Sequence, residues 1–302
     1  MHEQLGAKPI GMGPSASTLK GNTRRILLLG NAGTGKTIFR IQAFRFLGIE
    51  PDYSLFIQSA RHVTWQIFRR TLKFTKGDDF KRADPDRFKD YRILSEANNL
   101  ETSNLPDFII ESMATIKESA IFRKAFHEIQ VNNCLEPMYF VENCQRIMSS
   151  DYTPKFEDLL HIYQKGQSIE EATMIVGEVN VKIVELSGTK YARKKWSKSV
   201  ESFDQLLFFA SALDYDDDQK NEEALTFFET VCHSRLFTGA KITLVFTQTD
   251  IQLSKLRNDK ARFRNIMNIT IKRYFEVAER VVPVHEVNLL DAKSVRRLIE
   301  TL

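Results

Sequence analysis

Arg24-Arg25-Ile26-Leu27-Leu28-Leu29-Gly30-Asn31-Ala32-Gly33-Thr34-Gly35-Lys36-Thr37 is the stretch that decides the fold. Its first half is a short apolar run bounded by arginines, the pattern of a strand buried on both faces. Its second half fits G-x-x-x-x-G-K-[ST]. After Thr37 the pattern turns helical, with Ile38, Ile41, Phe44, Arg45 and Leu47 fitting one face. Strand, glycine-rich turn and helix in that order make a phosphate cradle. Glycines let the backbone wrap tightly, so that the N–H groups from Gly30 through Asn31, Ala32, Gly33, Thr34 and Gly35 point at phosphate oxygens. The helix adds its positive N-terminal end. Lys36 is spaced to reach the outer phosphates, and the Thr37 hydroxyl to ligate Mg²⁺.

Outward from this loop the chain changes character. Residues 50–150 carry helical periodicity at 56–74, 106–116 and 121–131, with loops such as 76–85 between them and hardly any strand-like alternation. Strand character returns at 172–179 and 181–186, joined through Asn180, and again at 205–212, 241–247 and 281–287. Helices are expected at 222–232, 262–278 and 291–302. An α/β core interrupted by an all-helical insertion explains that order.

Composition narrows the function. The 302 residues suffice for one large domain or two ordinary ones. A net charge of +4 with no aromatic-interleaved basic stripe argues against a nucleic-acid surface. Cys134, Cys144 and Cys232 and six scattered histidines form neither a disulfide framework nor a metal-ligand spacing. His62 and His161 are read as solvated and structural, the phenylalanines of the helical block as core, and the acidic run 214–218 as a solvated loop. No apolar run approaches the ~20 residues of a membrane span. His2 stands where a myristoylated glycine would be needed, and no cysteine lies nearby. A cytoplasmic protein is expected, with peripheral membrane association only through partners.

Later segments choose among the classes that use a phosphate loop. Asp151-Tyr152-Thr153-Pro154, with Asp158, Leu160, Lys165 and Ile169, resembles the linker and first switch of heterotrimeric G-protein α subunits. Glu185-Leu186-Ser187-Gly188-Thr189-Lys190-Tyr191-Ala192-Arg193-Lys194-Lys195-Trp196 resembles that family's second switch, D-V-G-G-Q-R-x-E-R-K-K-W. Thr247-Gln248-Thr249-Asp250 stands where the family has N-K-x-D, and Val287-Asn288-Leu289-Leu290 where it has T-C-A-T. The resemblance covers residues 24–302. It implies an α/β, Ras-like P-loop GTPase domain (24–48 and 155–302) with an inserted all-α helical domain (49–154), after a flexible N-terminal arm (1–23). It further implies GTP or GDP with Mg²⁺ as ligands, and a β-gamma dimer and effector as partners.

By that resemblance Gly188 meets the γ-phosphate, Glu185 stands indirectly near Mg²⁺, and Asp250 accepts the guanine N1 and N2 hydrogens. Arg193, Lys194, Lys195 and Trp196 become the partner-binding surface. The departures fall on catalytic and base-orienting parts. Tyr163 stands for the family's arginine, Gly166 for the threonine that closes over Mg²⁺, and Thr189 for the glutamine that orients water. Thr247 and Gln248 replace the asparagine and the stacking lysine, and Leu289 replaces a small alanine beside guanine O6. Residues 1–23 do not read as the family's N-terminal helix, and the last helix stops short of its receptor tail, which makes receptor coupling doubtful. The expectation is a divergent guanine nucleotide-binding switch in receptor-type signal transduction with weak or lost hydrolysis. The alternatives are a pseudo-GTPase scaffold for β-gamma or effector proteins, and an unrelated P-loop ATPase or kinase.

Overall fold

Ile26, Leu27, Leu28 and Leu29 give a strand no polar face, so it is stable only with cover on both sides. The computed structural model describes residues 23–46, 48, 50, 52–97, 102, 105–128, 136–162, 169–176, 179–186 and 202–302. In it the run lies in strand β1 (Thr23–Gly30), with Leu27, Leu28 and Leu29 fully buried. The loop then opens helix α1 (Lys36–Phe46). By internal contacts the chain forms two compact units, Met1–Pro51 with Lys165–Leu302, and Asp52–Gln164.

The second unit is helical. Its helices are α2 (Ile57–Lys73), α3 (Gly77–Ala83), α4 (Phe88–Glu96), α5 (Asp107–Ile116), α6 (Ala120–Phe126), α7 (Pro137–Glu142), α8 (Cys144–Met148) and α9 (Phe156–His161). They share an apolar core that includes Phe68, Phe80, Met113, Phe122, Phe140 and Leu159. Residues 76–85, read from sequence as a loop, contain α3. Phe80 is fully buried and stacks on Tyr91 at 4.7 Å, which anchors the turn. Asp78 and Asp79 in its first turn and Lys81 and Arg82 in its last suit the helix dipole. Helix α6 ends at Phe126, and residues 129–135 fall outside the described set. Phe74 and Phe108, expected in the core, are exposed.

Helix α9 and its cluster place the sequence boundary drawn at 154 differently. Leu159 and Ile162 pack with the helical core, and the unit ends at Gln164. Asp158 is the polar centre here. It is fully buried and accepts from Arg146 at 2.6 and 2.9 Å, Tyr139 at 2.6 Å, Tyr152 at 3.0 Å and the Lys155 amide at 2.7 Å. His161, expected to be solvated, is buried with its ring stacked on Tyr139 at 3.9 Å.

The first unit resumes with β2 (Ile169–Val176), β3 (Val179–Leu186) and β4 (Gln205–Ser211), then α10 (Asp218–His233) and β5 (Lys241–Thr247). Helices α11 (Thr249–Lys255) and α12 (Lys260–Ala278), strand β6 (Val284–Glu286) and helix α13 (Ala292–Ile299) follow. The sheet runs β2-β3-β1-β4-β5-β6, parallel except for β2 against β3. Every residue of β4 is buried, as a central parallel strand requires. The acidic run expected as a loop is a turn of 3-10 helix (Ala212–Asp216), and Asp217 caps α10 by accepting from the Lys220 amide. Strand β6 is shorter than the expected 281–287 because Val281 is 79% exposed and Pro283 has no N–H to donate. No helix of the described residues is long and apolar enough to cross a membrane.

Candidate phosphate-binding site

The chain runs from β1 to β3 on one side of β1 and reaches β4 on the other, so the sheet changes direction at β1. Open α/β sheets bind ligands at the carboxyl ends of strands beside such a switch point, and residues 30–37 stand there. Registers bring the partners into line. Leu28 lies beside Glu185, Gly30 beside Phe209, and Ser211 beside Thr247.

Two glycines are dictated by the loop's geometry. Gly30 has φ +136°, and a Cβ there would lie 2.2 Å from the Phe209 carbonyl oxygen. Gly35 has φ +86°, and a Cβ would lie 2.2 Å from Leu289 Cδ1. Either addition would combine a disfavoured backbone with a collision. Lys36, only 5% exposed, curls its ammonium over the loop and donates to the carbonyls of Gly30 at 2.9 Å and Asn31 at 2.8 Å. Thr34 Oγ1 donates to the Asn31 carbonyl at 2.9 Å. The loop therefore encloses a positive charge beside the amino end of α1, an arrangement complementary to phosphate.

The neighbouring segments tie to this loop through their polar groups. Thr247, fully buried at the end of β5, donates through Oγ1 to the Thr34 carbonyl at 2.9 Å and lies 3.3 Å from the Ala210 carbonyl. Gln248 adopts a left-handed backbone (φ 57°, ψ 26°), and its Nε2 donates to the Gly33 carbonyl at 3.4 Å while Ser211 Oγ donates to its Oε1. Thr247 and Gln248, which replace the family's asparagine and stacking lysine, are thus hydrogen-bonded to the phosphate loop. Leu289 is 6% exposed and lays its side chain against Gly35, and its carbonyl accepts from Gln42 Nε2 at 3.1 Å. Asp250 is half-buried in the first turn of α11.

On the other flank, Thr37 Oγ1 donates to Glu185 Oε1 at 2.5 Å, and Arg40 Nε donates to Oε2 at 2.9 Å. A hydroxyl and a carboxylate beside a phosphate cradle are oxygen donors of the kind Mg²⁺ takes. Arg40 was missed in the sequence, although it lies three residues after Thr37 and so on the same helix face. Gln42 and Ser211 were missed too, and nothing local marks them. Tyr163, Gly166, Gly188, Thr189, Arg193, Lys194, Lys195 and Trp196 lie outside the described residues.

Residues 13–301 match the family described as G-protein alpha subunit. Over 174 residues the chain is 29% identical to a guanine nucleotide-binding protein subunit alpha of Emericella nidulans, covering 54% of this chain and 49% of that protein. It is 27% identical over 256 residues to a guanine nucleotide-binding protein subunit alpha of Coprinellus congregatus (78% and 70% covered). It is also 27% identical over 264 residues to the guanine nucleotide-binding protein alpha-6 subunit of Caenorhabditis elegans (81% and 72%). The match to the Emericella protein thus spans about half of that relative's length.

Proposed function

The chain belongs to the G-protein alpha subunit family, and from that premise we propose that it is a guanine nucleotide-binding signalling switch that turns its triphosphate over slowly or not at all. The observation that carries the reading is the phosphate loop, shaped by Gly30 and Gly35, charged by Lys36 and tied by Thr247 and Gln248. Its backbone N–H groups and Lys36 hold phosphate oxygens. Asp250 accepts from the guanine edge and sets the base preference. Thr37 and Glu185 are the residues that would hold Mg²⁺, which when bound neutralises charge on the phosphate oxygens.

Binding and turnover use different residues. The phosphate-binding set, the loop with Lys36 and Thr37, keeps its motif, whereas Tyr163, Gly166 and Thr189 stand for the family's arginine, threonine and glutamine. Tyrosine offers no fixed positive charge, glycine no hydroxyl, and threonine is too short to hold a water as glutamine does. The unit that resumes at Lys165 is proposed to carry nucleotide, Asp52–Gln164 to form the helical domain, and Arg193, Lys194, Lys195 and Trp196 to meet a β-gamma dimer or effector. Membrane association would come through those partners.

Competition tests the reading. GTP should displace a labelled guanine nucleotide at lower concentration than ATP, because a half-buried Asp250 carboxylate left without matching donors rejects adenine. Equal displacement by ATP would overturn the guanine preference. Absence of any bound nucleotide would favour a scaffold that holds partners without cycling.

A further inference from the structure

Ser211 ends β4 beside Thr247 and is buried. Its Oγ accepts from the Leu213 N–H at 3.1 Å and donates to Gln248 Oε1, and Gln248 Nε2 donates in turn to the Gly33 carbonyl at 3.4 Å. Three segments far apart in sequence are thus joined by one directional chain of hydrogen bonds. We propose that Ser211 is a positioning residue for phosphate binding: by fixing which end of the Gln248 amide faces the loop, it aims the Thr34 N–H into the cradle. The proposal rests on the nucleotide-binding reading above.

A carboxamide has a donor end and an acceptor end of nearly the same shape, so its neighbours decide which way it turns. With one lone pair taken by the Leu213 N–H, Ser211 still has its own proton to place, and the Gln248 oxygen receives it. The NH₂ end is then left for Gly33. Turned the other way, the amide would set its oxygen against the Gly33 carbonyl, two acceptors face to face. The loop end of the chain follows from peptide geometry. In the trans peptide that joins Gly33 to Thr34, the carbonyl and the N–H point in opposite directions. Holding that carbonyl from Gln248 therefore sends the Thr34 N–H to the far side, into the cradle. Thr247 does the same one residue on, where its hold on the Thr34 carbonyl at 2.9 Å directs the Gly35 N–H. Gln248 acts from a left-handed backbone, which a glutamine keeps only where its surroundings fix it.

The test uses the full chain in two measurements: the NMR signal of the Gln248 side-chain NH₂ without ligand, and calorimetric titration with a non-hydrolysable GTP analogue. In wild type that signal, identified by its loss in Gln248→Met, should be shifted from free glutamine and protected from exchange. Ser211→Ala should move it to the position of free glutamine and weaken nucleotide binding by about fivefold or more. Gln248→Met keeps the side chain's length and should weaken binding as much. The double variant should bind no worse than Gln248→Met, because the two side chains act as one unit. Ser211→Thr keeps the hydroxyl and should match wild type. In a Gln248→Lys background Ser211→Ala should leave affinity unchanged, since an ammonium only donates and needs no partner to turn it. Losses that add in the double variant would overturn the proposal, as would a Ser211→Ala protein with a lower unfolding midpoint but wild-type signal and affinity. A protected Gln248 signal in a wild type that binds no nucleotide would refute the nucleotide-binding reading, and the positioning role with it. Nucleotide binding by a wild type whose Gln248 signal is that of free glutamine would overturn the positioning role alone.

Discussion

Thr247→Val replaces a hydroxyl with a methyl and leaves shape and volume almost unchanged. Thr247 is fully buried, and Thr34, whose carbonyl it serves from 2.9 Å, is 2% exposed. Removing the donor leaves a buried carbonyl without that hydrogen bond, a loss of about 1–3 kcal/mol. Because the bond holds the phosphate loop, part of that cost should appear in nucleotide affinity as a loss of roughly five- to a hundredfold. Thr247→Ser keeps the hydroxyl and gives up one methyl, about 0.8 kcal/mol of burial. It should lose some stability and little affinity. Denaturant unfolding and calorimetric titration of both variants separate the two effects. The reasoning fails if Thr247→Val matches wild type in midpoint and affinity, or if Thr247→Ser binds as poorly as Thr247→Val.

Three further outcomes are expected. Gly35→Ala should weaken folding and nucleotide binding together, since it meets both a positive φ and Leu289; adding Leu289→Ala should relieve only the collision, leaving backbone strain of about 1–2 kcal/mol in an unfolding titration. Asp158→Asn should destabilise the helical unit by about 3 kcal/mol because Arg146 loses its buried partner. Burial alone would raise the Asp158 carboxyl, but hydrogen bonds from Arg146, Tyr139 and the Lys155 amide outweigh it and hold the group below its ordinary value. Its contribution is therefore full above the unfolded value of 3.8 and lost as pH falls through the folded one; acid unfolding that is identical in wild type and Asp158→Asn would count against this. Single-turnover phosphate release should be slow, and Tyr163→Arg/Gly166→Thr/Thr189→Gln together should restore far more than any one change, because groups acting as a unit are not additive. Brisk release by wild type would show that another residue supplies the charge.

Most strands were legible because an apolar run between turn residues has few other uses. Lys241–Thr247 was read to the residue. Helix α3 was not legible, since its turn is fixed by one aromatic, Phe80, meeting Tyr91 from another helix. Helix α10 starts at Asp218 rather than 222 because Asp217 caps it, a signal present in the acidic run but read there as loop. The phosphate loop declares itself by motif, because glycine positions and the lysine are local. Its supports do not. Thr247 and Thr34 are separated by 213 residues, and Arg40 and Glu185 by 145, so neither bond leaves a pattern in any window. Comparing residue types at Thr247 and Gln248 speaks only to contacts with the base; their hydrogen bonds to the loop's carbonyls become visible only in the fold.

The central claim, that residues 30–37 hold a guanine nucleotide by its phosphates, is tested most directly by titrating purified wild type and Lys36→Ala with GTP. The Lys36 ammonium sits within the loop on the Gly30 and Asn31 carbonyls. Losing its charge-assisted bonds to phosphate should weaken binding by roughly a hundredfold or more. Equal affinity in the two proteins would contradict the account.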